Sequence, residues 1–435
     1  MVKGAKVLIL AFGAAAITSQ PALAEGLRKH EGSETAAGFS STGLARVDSM
    51  IEAAIRDQAT PGAALAIGRH GEIVRMRGYG RLSWDPNDAA VNDSTLYDIA
   101  SLTKVVGTTS GIMILVERGQ LDLDTPIHHY LAVWPADGDH GRITLRHLLT
   151  HTSGLPAGAN LWTTPGRTEK IERIARMRLS NAPGLVTTYS DLGMIVVAHI
   201  IEVVTNERLD DFLSREVFEP LGMRDTRFNP REFLPETLPH ATPLISLPAL
   251  SAFFEPFQLI AAWTPAERTH APQVDPSRIA PTESGVPRGY VHDPNAAALD
   301  GIAGHAGLFS SLRDLALYAT SVLEALHGED LPMVAAETVN LFLGSGSENE
   351  RALGWDIARG RSSAGEYFSE AAVGHTGFTG TSIWIDPKRD LFVVLLTNRV
   401  HPSAANQKHV ALRRAVHDAV QLAIADQVVT ARIDP

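Results

Sequence analysis

Two pairs of short apolar runs at opposite ends of the chain constrain its fold more than any other feature. Ala63 to Ile67 and Ile73 to Tyr79 flank His70-Gly71, while Thr381 to Ile385 and Leu391 to Leu396 flank Asp386 to Asp390, so each pair reads as a β-hairpin. A lone hairpin is marginal in water, and strands this apolar need a larger sheet. Leu44, Val47, Met50, Ile51, Ala54 and Ile55 recur at helical spacing before the first pair, and a closing helix is predicted from about Ala404 to Ala425. The middle, roughly residues 100–340, is mostly helical pattern broken by loops. The expected fold is therefore α/β (α+β): an antiparallel sheet closed by both chain ends, flanked by N- and C-terminal helices, with a mainly helical region inserted.

Composition sets the outer limits. The 435 residues are 44% hydrophobic, enough for a large core, and read as one domain over about residues 43–426. There is no cysteine, which removes disulfides, Cys-ligated zinc, iron–sulfur clusters and thiol nucleophiles, and leaves oxygen and nitrogen groups to do any chemistry. No cofactor or metal is expected; adjacent His128-His129 point to different helix faces and make a poor ligand pair. A formal charge of −11 without a Lys/Arg run disfavours nucleic acid as a partner.

The first 24 residues read as an address. Lys3 and Lys6 precede the apolar stretch Val7 to Thr18, too short for a bilayer of about 20 helical residues, and Ala22 and Ala24 supply the small residues cleavage needs. Removing this signal peptide takes away two lysines and no acid, moving the charge from −11 to −13. The expected location is periplasmic or secreted, and no later apolar run has membrane-spanning length. Residues 25–42 read as a flexible lead-in and 427–435 as a tail. Between Pro230 and Pro294 lie 12 of the 25 prolines, so that segment reads as irregular. Its Phe253, Phe254, Phe257 and Trp263 either pin the loop to the core or line a substrate mouth. Oligomeric state leaves no trace in the sequence.

Three short elements carry candidate chemistry. Ser101-Leu102-Thr103-Lys104 opens a predicted helix running to Glu117; residues three apart share a helix face, so Lys104 can reach the Ser101 hydroxyl beside the positive helix terminus. Taken singly, the same four residues also read as an N-cap and a surface charge. Tyr189-Ser190-Asp191 enters the apolar helix Met194 to Val203, where the phenol can relay a proton or simply pack, and Asp191 can cap. His375-Thr376-Gly377 precedes Phe378-Thr379-Gly380 and the strand-like run from Thr381, either as a plain turn or as a place where substrate backbone approaches. Neither G-x-S-x-G nor H-E-x-x-H occurs. His151 reads as structural, hydrogen-bonded by its neighbours Thr150, Thr152 and Ser153, and Ser311 to Asp314 as a capping box.

Taken in order, S-x-x-K, Y-x-D and H-T-G resemble the serine β-lactamase and penicillin-binding-protein superfamily, particularly its class C-like branch, which includes D-alanyl-D-alanine carboxypeptidases and esterases. Ile143 to Pro156, Gly304 to Ser310 and Gly374 to Thr381 strengthen the likeness, which spans roughly Leu44 to Ala425. Tyr290-Val291-His292-Asp293-Pro294-Asn295 resembles the penicillin-binding protein 4B subgroup. The resemblance implies a β-lactamase/transpeptidase-like fold. It also implies that Ser101 is acylated, that Lys104 and Tyr189 share the proton traffic, and that the N–H groups of Ser101 and Phe378 form an oxyanion hole. Asp191, His375, Thr376 and Gly377 would contact substrate.

Two residues depart from the family pattern. His375 stands where β-lactamases commonly carry Lys, which weakens any anchor for a carboxylate near neutral pH. Asp191 stands where Asn is frequent; if it approaches Lys104 it holds the lysine as a cation and shifts base work to Tyr189. The expected activity is a covalent serine hydrolase acting on an ester, amide or D-amino-acid peptide bond of a small-molecule or peptidoglycan-derived peptide substrate. The alternatives are a class C-type β-lactamase and a non-catalytic peptidoglycan- or β-lactam-binding module.

Overall fold

The structure, a computed structural model, describes residues 34–231, 273–344, 351–360 and 362–432. The signal-peptide segment 1–24 and the aromatic stretch from Phe253 to Trp263 lie outside these residues.

The end hairpins meet in one antiparallel sheet of six strands, in the order Glu72–Gly80 (β2), Gly62–Arg69 (β1), Leu391–Thr397 (β9), Ser382–Asp386 (β8), Val373–Thr376 (β7) and Asp356–Ile357 (β6). β1 (Gly62–Arg69) and β2 (Glu72–Gly80) are joined by His70 and Gly71, with φ of 55° and 73°, the two positive values a type I′ turn requires. β8 (Ser382–Asp386) and β9 (Leu391–Thr397) form the other hairpin, and β7 (Val373–Thr376) and β6 (Asp356–Ile357) extend the sheet. The chain ends close on each other where β1 pairs with β9, from Ala63 opposite Thr397 to Arg69 opposite Leu391.

Strand alternation divides the core into two layers. Ala63, Leu65, Ile67, Leu391, Val393, Leu395 and Trp384 face the terminal helices α1 (Ser41–Arg56) and, at the other end, Lys408–Leu422. Ala64, Ala66, Phe392, Val394, Leu396 and Ile383 face the inserted helical region. Within that region lie α2 (Ser110–Glu117), α3 (Asp191–Thr205) and α4 (Leu312–Leu326), and the C-terminal helix Lys408–Leu422 is therefore α5. α2, α3 and α4 are largely enclosed by other elements, with only Glu117, Arg313 and Glu324 exposed among them. A second sheet, β3 (Tyr97–Asp98), β5 (Leu308–Ser310) and β4 (Arg227–Phe228), draws Gly304 to Gly307 toward Ser101, because the Ile99 N–H donates to the Leu308 carbonyl.

Several local expectations change. The lead-in is packed from residue 34 onward: Ala37 and Phe39 are buried, Phe39 bridges to Ile424, and Ser40 caps α1 by accepting from the Gly43 N–H at 3.2 Å. Two apolar residues in a polar stretch carry no periodicity that would announce this. α5 begins at Lys408, later than Ala404, because Ala404 and Asn406 are engaged by Glu283 and by Gln58. The tail is tied in as far as Arg432, which donates to the Phe368 and Gly365 carbonyls. Asp314 does not complete a capping box; its carboxylate accepts from the Asp225 and Thr226 N–H groups, both at 2.8 Å.

Candidate active site

The approach to Ser101 is strained. Ala100 has φ of 47°, held by its N–H donating to Asp98 Oδ1 at 2.8 Å. Ser101 then lies in a short 3₁₀ turn (Ala100–Leu102), so its N–H is among those a helix start leaves unpartnered. A π-helical stretch, Lys104–Thr109, leads into α2 and turns the fully buried Lys104 back toward the serine. Lys104 Nζ donates to Ser101 Oγ at 2.9 Å and to the His305 carbonyl at 3.0 Å, and lies 2.7 Å from Asp191 Oδ1.

Ser190, not Asp191, caps α3: its Oγ accepts from the Gly193 N–H at 3.2 Å and donates to the Pro156 carbonyl at 2.6 Å. That leaves the Asp191 carboxylate, one-third exposed, for Lys104. Tyr189 is 37% exposed, with its ring centroid 4.9 Å from Lys104 Nζ and 5.5 Å from the Arg351 guanidinium. His151 packs against it at 4.6 Å and His375 at 5.9 Å between centroids. Burial works against the Lys104 ammonium, but Tyr189 and Asp191 outweigh it and raise the pKa above the ordinary lysine value.

The third element is a strand, not a plain turn. His375 and Thr376 lie in β7, opposite Ile383 and Ser382. Beyond them the loop is pinned to the approach of Ser101, because Thr379 Oγ1 donates to the Asp98 carbonyl at 2.6 Å and Thr381 Oγ1 to the Ile99 carbonyl at 3.0 Å. The two segments run so close that a Cβ on Gly377 would stand 2.5 Å from the Ile99 carbonyl oxygen. Arg413 and Arg399 hold the loop from behind, donating to the Gly377 and Phe378 carbonyls at 2.9 and 2.8 Å. Phe378 is 54% exposed, with the Arg399 guanidinium 4.4 Å from its ring and the His292 ring stacked at 5.5 Å. Among the described residues, no backbone carbonyl accepts from the Ser101 or the Phe378 N–H.

Two histidines here are neutral at pH 7. His375, only 2% exposed, has its pKa pushed down to about 4, first by burial and then by Arg351 and Lys104 against the pull of Asp356. Its Nδ1 donates to the Thr376 carbonyl at 2.9 Å, so Nε2 is a bare acceptor. Burial, Arg351 and Lys104 also hold His151 well below the usual range; its Nδ1 accepts from the Ser190 N–H at 3.1 Å, a partner that is not one of its flanking hydroxyls.

All eight residues picked from the sequence, Ser101, Lys104, Tyr189, Asp191, His375, Thr376, Gly377 and Phe378, belong to these converging segments. Sequence reasoning missed Asp98, Arg351, Arg399 and Arg413, which sit in no motif and act largely through backbone carbonyls and ring faces. Among the described residues no group of His, Asp and Glu side chains is arranged to hold a metal, and no helix is long and apolar enough to cross a membrane.

A family model described as Beta-lactamase matches residues 47–418. An N-acetylmuramyl-L-alanine amidase of Bacillus subtilis (strain 168) is 31% identical over 391 residues, covering 84% of this chain and 83% of that protein. A protein of Escherichia coli (strain K12) named "Putative D-alanyl-D-alanine carboxypeptidase" is 30% identical over 410 residues, covering 87% and 88%. Among solved structures, EstCE1, titled a hydrolase with promiscuous acyltransferase activity, aligns with a TM-score of 0.60 at 22% identity, covering 87% of this chain and 98% of that one. The octameric penicillin-binding protein homologue of Pyrococcus abyssi aligns with a TM-score of 0.62 at 21% identity, covering 87% and 77%.

Proposed function

This chain belongs to the beta-lactamase family of serine hydrolases, and on that premise we propose that it hydrolyses an ester, amide or D-amino-acid peptide bond through an acyl-enzyme on Ser101. The observation that carries the reading is the Ser101–Lys104–Asp191 chain, at 2.9 and 2.7 Å, beside the ring of Tyr189. Ser101 Oγ attacks the substrate carbonyl carbon while its proton passes to Tyr189. The Lys104 ammonium, kept charged by Asp191, lies beside both the Ser101 hydroxyl and the Tyr189 ring and steadies the negative charge passed between them. The oxyanion of the tetrahedral intermediate accepts from the Ser101 and Phe378 N–H groups. Collapse breaks the bond to the leaving group, which takes the proton from Tyr189; water then repeats the sequence as second nucleophile and frees Ser101.

The neutral His375 bears on substrate class. A neutral imidazole whose Nε2 is itself buried offers no charge to a carboxylate. This favours an ester, or an amide inside a peptidoglycan-derived peptide, over a bond next to a free carboxylate, and sets β-lactams lower. The amidase and carboxypeptidase relatives support a peptidoglycan-derived substrate. The Lys3-to-Ala24 pattern supports export.

The test is turnover of p-nitrophenyl acetate and of a panel of muramyl-peptide and D-alanyl-peptide amides by wild type and Ser101→Ala. Loss of all turnover in the variant is expected. Undiminished hydrolysis by Ser101→Ala would remove the proposal.

A further inference from the structure

The segment His292-Asp293-Pro294-Asn295 takes no part in the chemistry above, yet each polar group in it reaches a different part of the site. The His292 N–H donates at 2.8 Å to Asp98 Oδ2, the carboxylate whose other oxygen holds the strained Ala100, and the His292 ring stacks on Phe378. Asn295 Oδ1 accepts from the Leu161 N–H and its Nδ2 donates to the Ala159 carbonyl, both at 2.9 Å. That loop continues from Pro156 and Ala157, whose carbonyls accept from Ser190 Oγ at 2.6 Å and the Asp191 N–H at 2.9 Å.

Asp293 makes the most direct link. Its Oδ1 is 2.9 Å from His305 Nε2, and the His305 carbonyl accepts from the Lys104 ammonium. The His305 ring is buried, and Gly304, its neighbour, is tied by the Thr108 hydroxyl donating to the Gly304 carbonyl at 2.8 Å. Burial alone would raise the Asp293 pKa, but the His305 ring, the Ala296 N–H and Lys104 together hold its carboxyl well below the usual range. A carboxylate stabilised in this way stays ionised across the working pH range and keeps His305 in one orientation.

We propose that Asp293 is a positioning residue for Lys104: by fixing the His305 ring it fixes the His305 carbonyl, and so the aim of the ammonium at Ser101 Oγ. The Asp293 carboxylate bonds to the His305 ring and the Ala296 N–H, not to the Ser101 hydroxyl or the Lys104 ammonium. This inference rests on Lys104 serving the reaction proposed above. Neither motif spacing nor the three-element pattern assigns a role to this residue, since 192 positions separate Asp293 from Ser101 in the chain.

The test uses the full-length protein and three variants, Asp293→Ser, His305→Ala and the double variant, with p-nitrophenyl acetate as substrate. Acylatable sites are counted by end-point labelling with a fluorophosphonate. Ser is as good an N-cap as Asp, so Asp293→Ser keeps an acceptor for the Ala296 N–H that starts the short helix Pro294–Ala297, while its shorter side chain no longer reaches the His305 ring; Asn would keep the Oδ1 that serves both. We expect kcat per labelled site to fall on the order of 10²-fold with KM within about threefold, because a small misplacement of a working group costs that much without altering binding. His305→Ala should match this loss, and the double variant should fall no further, because both act through one link.

Losses that multiply in the double variant would overturn the proposal. So would a lower count of labelled sites with wild-type kcat at each, which is the signature of a purely structural role. Ser101→Ala is the control that separates the two readings: if it retains turnover the proposed reaction falls, and this inference with it; if it is dead while Asp293→Ser turns over normally, only this inference falls.

Discussion

Asp191→Asn probes the electrostatics of the site most sharply. At the 2.7 Å between Lys104 Nζ and Asp191 Oδ1, unit charges attract by about 1.5 kcal/mol in bulk water and about 6 kcal/mol at an effective dielectric of ~20. Lys104 is fully buried while Asp191 is one-third exposed, so the pair lies between these limits, and desolvation of the ammonium offsets part of the gain. Removing the charge but keeping the shape leaves a buried ammonium facing neutral acceptors, Ser101 Oγ, the His305 carbonyl and the new amide oxygen, beside the Tyr189 ring, and burial then acts more strongly against it. The lysine should release its proton at lower pH. If the ammonium is the working form, the basic limb of kcat/KM for p-nitrophenyl acetate moves toward lower pH by about one unit or more.

Stability follows the same linkage. The Lys104 pKa is raised in the folded protein, so its contribution is complete below the unfolded value of about 10.4 and is lost as pH rises through the folded one. The gap in Tm between wild type and Asp191→Asn should therefore be full at pH 7 and close above about pH 10.4. A pH–rate profile unchanged by the substitution would refute this reasoning. Faster hydrolysis at neutral pH with the acid limb shifted downward would refute it differently, since it would make the free amine of Lys104 the base.

Further outcomes follow from other parts of the structure. With the His375 pKa at about 4, the ratio of kcat/KM for a carboxylate-bearing ester to that for a neutral one should stay flat from about pH 6 to 8, and nitrocefin should turn over slowly; rapid nitrocefin hydrolysis would contradict it. Gly377→Ala forces a Cβ against the Ile99 carbonyl and should cost about 1–3 kcal/mol in chemical denaturation together with most of the esterase activity. Leu65→Ala, under the terminal helices, should cost about 2–5 kcal/mol while leaving activity at low temperature near wild type. Burial depresses the pKa of His375 to about 4 and of His417 to about 3, so the unfolded chain takes up their protons first. Their contribution is present above the unfolded value of 6.5 and is lost as pH falls toward these values, so Tm should drop across that window.

The sheet was legible in the sequence because strands buried on both faces appear as apolar runs, and two such hairpins cannot be satisfied apart. The spacing of Ser101 and Lys104 was legible for a similar local reason: three residues is one turn of a 3₁₀ helix and nearly one of an α-helix, so the two side chains share a face. What the sequence could not carry is reach across the chain. Ser190 rather than Asp191 caps α3 because the Pro156 carbonyl is there to receive the serine hydroxyl. His375 is neutral because burial removes its hydration, and burial of one histidine in a strand is set by everything packed over it. Asp98, Arg399 and Arg413 form no pattern with the motifs they support, since their bonds go to backbone carbonyls and N–H groups that every residue possesses.

The central claim is that Ser101 becomes acylated. Intact-mass measurement after exposure to fluorophosphonate, β-lactam and D-alanyl-peptide probes, followed by peptide mapping, tests it most directly. The account predicts a single fluorophosphonate adduct on Ser101, absent from Ser101→Ala and formed more slowly in Asp191→Asn. An adduct on another residue, or no adduct from a folded protein that still turns over p-nitrophenyl acetate, would contradict it.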